Sequence, residues 1–260
     1  MPVMSNRTRI QSDYARDGFV VVRNFLAVDE LEPLCQALDR YIEQDVPSVP
    51  DSSAFFHDPE RPETLKQLQH ILDPALVAYT RNRRWVDLAE ILTGESVKAQ
   101  QPEWFNKPPG IDHATPPHQD NYYFCLRPPS VTTIWVALDA ADKSNGALRY
   151  VRGSHLLGIR PHRATEVLGF SQGITDYGPG DVAQEECVEL APGDAVAHHG
   201  NTIHRADANQ TATKSRRAFA IVFQATSCQR DEEAFQRYLQ NVNQQHQSLG
   251  LQASSNEIAP

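Results

Sequence analysis

The apolar positions follow two different rhythms along the chain. In the first third, Leu31, Leu34, Cys35, Leu38, Tyr41 and Ile42 recur every three or four residues, the spacing that stacks side chains on one face of a helix. Asp29 and Glu32 have capping-box spacing ahead of this stripe, so a helix is expected to run to about Gln44. The run DGFVVVRNFL before it (17–26) is β-branched and predicts a strand. The polar, proline-containing DVPSVPDSS after it reads as a loop. A second helical region is expected over 62–92. Trp85, Leu88, Ala89 and Leu92 form its last stripe, and Gly94 suits its C-terminal cap.

After Gly94 the rhythm changes. Short β-rich runs take over: SVKAQQPEWFN, DNYYFCL, VTTIWVALDA, GALRYV, CVELAPGDAVAHH and RAFAIVFQA, with the turn signals KPPG, SNG and PGD between them. Many short strands punctuated by turns predict a sandwich or barrel. The stretch 162–185 contains glycine and has weak periodicity, so it reads as a long functional loop of the lid type. The tail from Gln240 is rich in Gln, Asn and Ser and predicts a helix end followed by a frayed terminus. The expected organisation is one domain over 1–260: a mostly helical support over 1–94, a β core over 95–226, and a C-terminal helix and tail over 227–260.

Composition narrows the partners. A chain of 260 residues with 40% hydrophobic content can bury one core. A net charge of −9 argues against nucleic acid and against a polybasic membrane surface. Cys35, Cys125, Cys187 and Cys228 form no CxxC pair, which excludes a zinc ribbon and a disulfide framework. MPVMSNRTRI has no apolar signal region, and no stretch is apolar enough to span a bilayer. A soluble, cytoplasmic protein with a small-molecule partner is expected; the sequence carries no signal for an oligomeric state.

The chemistry starts at PPHQDNYYF (116–124). In an extended chain, residues i and i+2 share a face, so His118 and Asp120 would point together. An HxD pair alone is weak, because ten histidines and 33 acidic residues produce such pairs by chance on surface strands. The segment 192–223 adds to it. It places His204 just past a strand and turn, and Arg216 and Arg217 at the start of the next strand. Two imidazoles and one carboxylate on one face of an Fe(II) ion leave three positions for a bidentate co-substrate and dioxygen. A co-substrate with a distal carboxylate needs a fixed cation, which the planar fork of arginine supplies.

These residues resemble the phytanoyl-CoA dioxygenase family, a branch of the Fe(II)/2-oxoglutarate oxygenases. The resemblance rests on YARDGFVVVRNFL with the helix after it, on HQD at 118–120, and on NGALRYVRGSH at 145–155. It extends through GDAVAHHGNTIHRADANQ and RRAFAIVF and covers most of the chain. It implies a mainly β fold with flanking helices (α+β), a double-stranded β-helix or cupin-like jelly roll. It implies His118, Asp120 and His204 as iron ligands and Arg216 as the anchor for the distal carboxylate of 2-oxoglutarate. The family arginine often follows its histidine slightly sooner, which fits one extra residue in 207–215. Strand alternation puts Arg216 and Arg217 on opposite faces, with Arg217 as the fallback. Trp135 resembles a family aromatic lining the co-substrate pocket, and Asn106 is a candidate to hydrogen-bond the co-substrate.

Tyr122 and Phe124 follow Asp120 at pleat spacing, so they are expected on the same inner face as substrate contacts, with Tyr123 turned away. Arg160 and His162, at the mouth of the long loop with Arg163, are expected to grip an anionic substrate. His155 reads as a structural turn histidine, and His198 and His199 as packing or solvent-facing residues. The resemblance implies a hydroxylase that uses Fe(II), 2-oxoglutarate and O2, oxidises an unactivated C–H bond and releases succinate and CO2. Asp120 counts against halogenation, since halogenating relatives carry a small residue there. The acidic chain has no phosphate-binding cluster, so a small, partly apolar acid is expected rather than a CoA ester. A non-catalytic metal-binding cupin and a protein side-chain hydroxylase are the alternatives.

Overall fold

A computed structural model describes residues 6–50, 53–111, 113–165 and 172–248. The expected frayed tail beyond the last helix, residues 166–171 of the expected lid loop and residues 51–52 of the expected early loop lie outside the described residues.

The described chain opens with helix α1 (Asn6–Asp17), strand β1 (Phe19–Val22) and helix α2 (Val28–Gln44). Short strands β2 (Ala54–Phe56) and β3 (Leu65–Leu68) precede helices α3 (Pro74–Val77) and α4 (Arg83–Thr93). Strands β4 (Val97–Ala99), β5 (Glu103–Lys107) and β6 (Thr115–His118) lead into one helical turn, α5 (Asn121–Phe124). Next come β7 (Leu126–Arg127), β8 (Val131–Ala137) and β9 (Leu148–Val151). A hairpin of β10 (His162–Ala164) and β11 (Gln172–Ile174) follows, then α6 (Pro179–Ala183) and β12 (Glu185–Val188). Strands β13 (Ala195–His199), β14 (His204–Ala206), β15 (Arg216–Ala225) and β16 (Gln229–Arg230) precede α7 (Glu232–Ser248).

Two antiparallel sheets carry the fold. The main sheet has the order β1-β13-β8-β15-β5-β3-β2, and β4 also pairs with β15; the minor sheet has the order β12-β9-β14-β6. Strand alternation sorts the core into two layers. Ile134, Val136, Phe219, Ile221 and Phe223 face Leu34, Leu38, Trp85 and Leu88 of the helices. Trp135, Ala137, Ala218 and Ala220 face Leu148, Tyr150 and Ala206 of the minor sheet. Because both faces of β8 and β15 are covered, their sequences read as near-continuous apolar runs. Two facing antiparallel sheets with helices packed outside form the expected jelly roll.

Several local expectations change. The helix over 28–44 starts one residue before Asp29, with Ala27 as its N-cap. Glu30, not Glu32, reaches back to the Ala27 N–H at 2.9 Å. Alanine has no side-chain acceptor, so only half of a capping box forms. Within the helical region expected over 62–92, the one long helix is Arg83–Thr93, after the single turn of α3; Asn82 caps its Arg84 N–H at 3.0 Å and Gly94 closes it at φ 75°. The first part of the region instead makes β3, because Gln67 and Leu68 pair with Phe105 and Trp104 on β5. Tertiary pairing overrides local periodicity there. The stretch expected as a bare loop over 162–185 contains the β10–β11 hairpin and α6. No described helix is long and apolar enough to cross a membrane.

Gly18 ties the helical layer to the site. Its φ is 83°, and a Cβ there would lie 2.5 Å from both His155 Nδ1 and Thr202 Oγ1. Its carbonyl accepts from Thr202 Oγ1 at 2.7 Å and from the His199 N–H at 2.8 Å, fixing the turn that leads into β14.

Trp85 joins the helical layer to the main sheet. It is fully buried and meets Phe25, Tyr79 and Phe219 edge-on, at 5.1, 6.1 and 5.8 Å. Trp85→Ala is expected to lower the unfolding free energy by about 3–5 kcal/mol. Urea denaturation would check this; a loss below about 1 kcal/mol would show that the layers do not depend on this contact.

Candidate active site

The chain changes direction where the chemistry sits. Strand β6 ends at His118, and Asp120 already has helical backbone angles as the N-cap of α5. The two residues between and after the candidate ligands act as anchors. Gln119 is fully buried; its Nε2 donates to Gly158 O at 2.8 Å and Asn201 O at 2.7 Å, and its Oε1 accepts from the Arg160 N–H at 2.8 Å. Asn121 bonds both backbone groups of Leu126 and donates to Asn201 Oδ1 at 3.1 Å. With its polar groups satisfied, the turn is rigid, and His118 and Asp120 are left to face inward.

His204 on β14 stands directly opposite His118 on β6. His118, Asp120 and His204 are brought together, with one ligand atom from each lying within 4.8 Å of the others. Asp120 Oδ1 is 3.6 Å from His118 Nε2 and 3.4 Å from His204 Nε2. Each imidazole is oriented from behind: Nδ1 of His118 donates to Pro116 O at 2.8 Å, and Nδ1 of His204 to Thr202 O at 3.0 Å. A carbonyl can only accept, so Nδ1 carries the proton and the Nε2 lone pair faces the site. That is the form in which histidine binds a metal.

Electrostatics favour the same form. Burial holds both imidazoles below their ordinary value, and so neutral. Burial alone would raise the Asp120 carboxyl. The pull of His204 whenever its ring is protonated, together with the hydrogen bond to His198, outweighs it, and the group lies far below the carboxylate range, and so ionised. Two neutral nitrogens and one carboxylate oxygen are a suitable donor set for Fe(II).

The triad lines a cavity of about 90 Å³ that also includes Trp135, Asn106, Thr133, His198 and Arg216. Arg216 is 4% exposed and lies over the Trp135 ring at 5.3 Å. Its Nε is buried without a hydrogen-bond partner among the described residues. Burial pulls its pKa down to about 10, so it remains charged. Arg217 points the other way, to Asp139 at 2.9 Å and Asp39 at 3.2 Å. Asn106 donates to Leu65 O at 3.1 Å, and its Oδ1 is buried without a partner among the described residues.

The four expected substrate contacts are not among the residues lining this cavity. The pleat spacing ends because the chain turns helical at Asn121. Tyr122 therefore stacks on His162 at 4.0 Å, and Phe124 packs with Leu126, Val131 and Val222. Tyr123, expected to face away, sits edge-on to His118 at 6.0 Å and donates to Gln172 O at 2.7 Å. Arg160 is held by Asp176 at 2.9 Å and Asp181 at 2.6 Å. Both nitrogens of His162 are engaged, Nδ1 donating to Arg160 O and Nε2 accepting from the Gln119 N–H. His155 bonds Ala15 O at 3.2 Å.

Other residues take their place. Lys66, Lys107, His57 and His113 line the cavity. Burial lowers Lys66 to about 8 and Lys107 to about 7. Lys107 pairs across the strands with Arg216, on the same face of the sheet, and its Nζ donates to His113 O at 2.8 Å. His198, read from sequence as packing or solvent-facing, places Nε2 3.0 Å from Asp120 Oδ2. Alternation along β13 carries the signal for it, since His198 shares the inward face of Val196.

The family model "Phytanoyl-CoA dioxygenase (PhyH)" matches residues 14–218. A phytanoyl-CoA dioxygenase of Arabidopsis thaliana is 27% identical over 268 residues, covering 88% of this chain and 93% of the relative. The peroxisomal enzyme of Mus musculus is 27% identical over 233 residues, covering 83% of this chain and 68% of the relative. Among solved structures, EvdO2 from Micromonospora carbonacea var. aurantiaca, complexed with 2-oxoglutarate, superposes with a TM-score of 0.68 at 24% identity, covering 86% of this chain and 92% of that one. The epimerase SnoN, in complex with Fe3+, α-ketoglutarate and nogalamycin RO, has a TM-score of 0.65 at 25% identity, covering 85% and 84%.

Buried histidines set a pH dependence. Burial holds His57, His162 and His199 down at about 4, from an ordinary 6.5. Between these values the unfolded chain binds more protons than the folded one, so stability is whole above about pH 6.5 and is lost as pH falls toward about 4. The urea midpoint of the metal-free protein is expected to fall steadily across that window. A flat profile would contradict the burial of these rings.

Proposed function

The chain belongs to the phytanoyl-CoA dioxygenase family and is an Fe(II)/2-oxoglutarate-dependent dioxygenase, and we propose that it hydroxylates an unactivated C–H bond of a small, acidic metabolite. The observation that carries this reading is the position of the triad and a buried guanidinium on the walls of one cavity. We read Nε2 of His118, Nε2 of His204 and one oxygen of Asp120 as the protein ligands to iron. When bound, iron and 2-oxoglutarate supply the oxidising chemistry, consuming O2, releasing succinate and CO2 and delivering hydroxyl to the substrate carbon.

The protein's own groups position and shield. Arg216 is proposed to take the distal carboxylate of 2-oxoglutarate, where two charge-assisted hydrogen bonds would meet its buried donors. Trp135 stacks beneath that guanidinium and limits its rotamers. Asn106 Oδ1, buried and unmet, is proposed to accept a hydrogen bond inside the same cavity. Lys66, with Arg216 and Lys107 on the same cavity walls, supplies the basic surface for which an acidic substrate is the natural partner, and the His57–His113 pair, with rings 4.8 Å apart, lies beside it. They replace Arg160 and His162 in that proposed role. Tyr123 and the aromatic contacts of α7 behind it close one side of the site against water. The cytoplasm is kept as the proposed location; the peroxisome named for the mouse relative is the competing compartment.

The test is succinate release from protein purified anaerobically, loaded with Fe(II) and 2-oxoglutarate and exposed to oxygen. His118→Ala is expected to abolish it. Arg216→Ala is expected to raise KM for 2-oxoglutarate roughly 10- to 150-fold, the range of about 1.5–3 kcal/mol for hydrogen bonds to a charged group. Arg217→Ala, outside the cavity, is expected to leave KM within about threefold. Metal binding with no succinate, even with a panel of small acids, would favour a binding cupin instead.

A further inference from the structure

We infer that His198 is a positioning residue that makes Asp120 a one-oxygen ligand and so keeps a coordination position open at the metal. This rests on the reading that His118, Asp120 and His204 hold iron. The two oxygens of Asp120 have different surroundings. Oδ1 faces the two ligand imidazoles. Oδ2 accepts from Thr133 Oγ1 at 2.8 Å and lies 3.0 Å from His198 Nε2. Thr133 and His198 are register partners on neighbouring strands of the main sheet, so both approach from the same side.

The tautomer of His198 follows from its other nitrogen. Nδ1 lies 3.0 Å from the hydroxyl of Tyr150, which is fully buried. A buried phenol O–H needs an acceptor, and the Nδ1 lone pair provides it. With Nδ1 as the acceptor, the ring N–H is on Nε2, aimed at Oδ2. The opposite tautomer would set a lone pair against a carboxylate oxygen at that distance. His198 does not itself belong to the ligand cluster among the described residues. Its place is one layer behind. The chain Tyr150–His198–Asp120 crosses from the minor sheet through the main sheet to the metal site, and with Thr133 it occupies Oδ2. Iron is left with Oδ1. Bidentate binding by Asp120 would take one of the three positions that 2-oxoglutarate and O2 require.

The test measures metal, not turnover. Wild type, His198→Phe, His198→Gln and Tyr150→Phe are titrated anaerobically with Fe(II), and the Co(II) forms are compared by visible absorption, which reports coordination number. His198→Phe keeps the ring volume and removes the donor. It is expected to weaken Fe(II) binding roughly 10- to 100-fold and to change the Co(II) spectrum. His198→Gln, whose amide can donate to Oδ2, is expected to recover most of both. Tyr150→Phe releases the tautomer and is expected to fall between. A folded His198→Phe protein with wild-type affinity and spectrum overturns the inference. If that variant does not fold, Tyr150→Phe, which removes one atom, decides in the same way. Wild-type protein that binds no Fe(II) sinks the metal reading itself, and the two failures are thereby told apart.

Discussion

One carboxylate held between two sheets organises the site. Asp120 sits where β6 gives way to α5, with one oxygen toward the main sheet and the other beside two imidazoles of the minor sheet. Burying an anion costs several kcal/mol unless its lone pairs are met. Here Oδ2 is met by Thr133 and His198, while Oδ1 is left among two Nε2 lone pairs, a place that a cation would satisfy, which couples the spacing of the sheets to the ionised state of one residue. Gln119 and Asn121 carry the same logic outward. Their amides are used to hold the turn, so the chain cannot relax away from the position that the carboxylate requires.

The cavity's charge runs against the charge of the chain. The protein carries a net −9, yet Arg216, Lys107 and Lys66 line the same cavity, two of them opposite each other on adjacent strands. Like charges at paired positions are unfavourable in an empty sheet. They become an advantage when a dianionic co-substrate enters, because part of the cost of assembling them is relieved on binding. Burial of the lysines, which lowers both, points the same way. Such arrangements belong to sites built for a ligand more than to sites built for stability.

The sequence made the frame of this molecule legible wherever one physical rule acted alone. The apolar runs of β8 and β15 read as strands because both faces are buried, and the helix stripe over 31–42 read as a helix because one face is. The metal triad and the buried arginine emerged from spacing together with a family resemblance. Failures came where tertiary contacts overrode a local pattern. Leu65–Leu68 looks helical until β5 offers an edge to pair with. Tyr122 and Phe124 kept their pleat spacing on paper, but helical backbone begins after Asp120 and scattered them. Arg160 looked available as a cation because Asp176 and Asp181 are distant in sequence and adjacent in space. His198 was within reach of alternation, but its partner Tyr150 lies on another sheet.

The most direct measurement is anomalous diffraction at the iron edge, from crystals grown without oxygen in the presence of Fe(II) and 2-oxoglutarate. One iron is expected, bound by Nε2 of His118, Nε2 of His204 and a single oxygen of Asp120, with 2-oxoglutarate chelated to it and its far carboxylate on Arg216. Iron at any other residues, or a co-substrate carboxylate resting on a cation other than Arg216, would contradict this assignment.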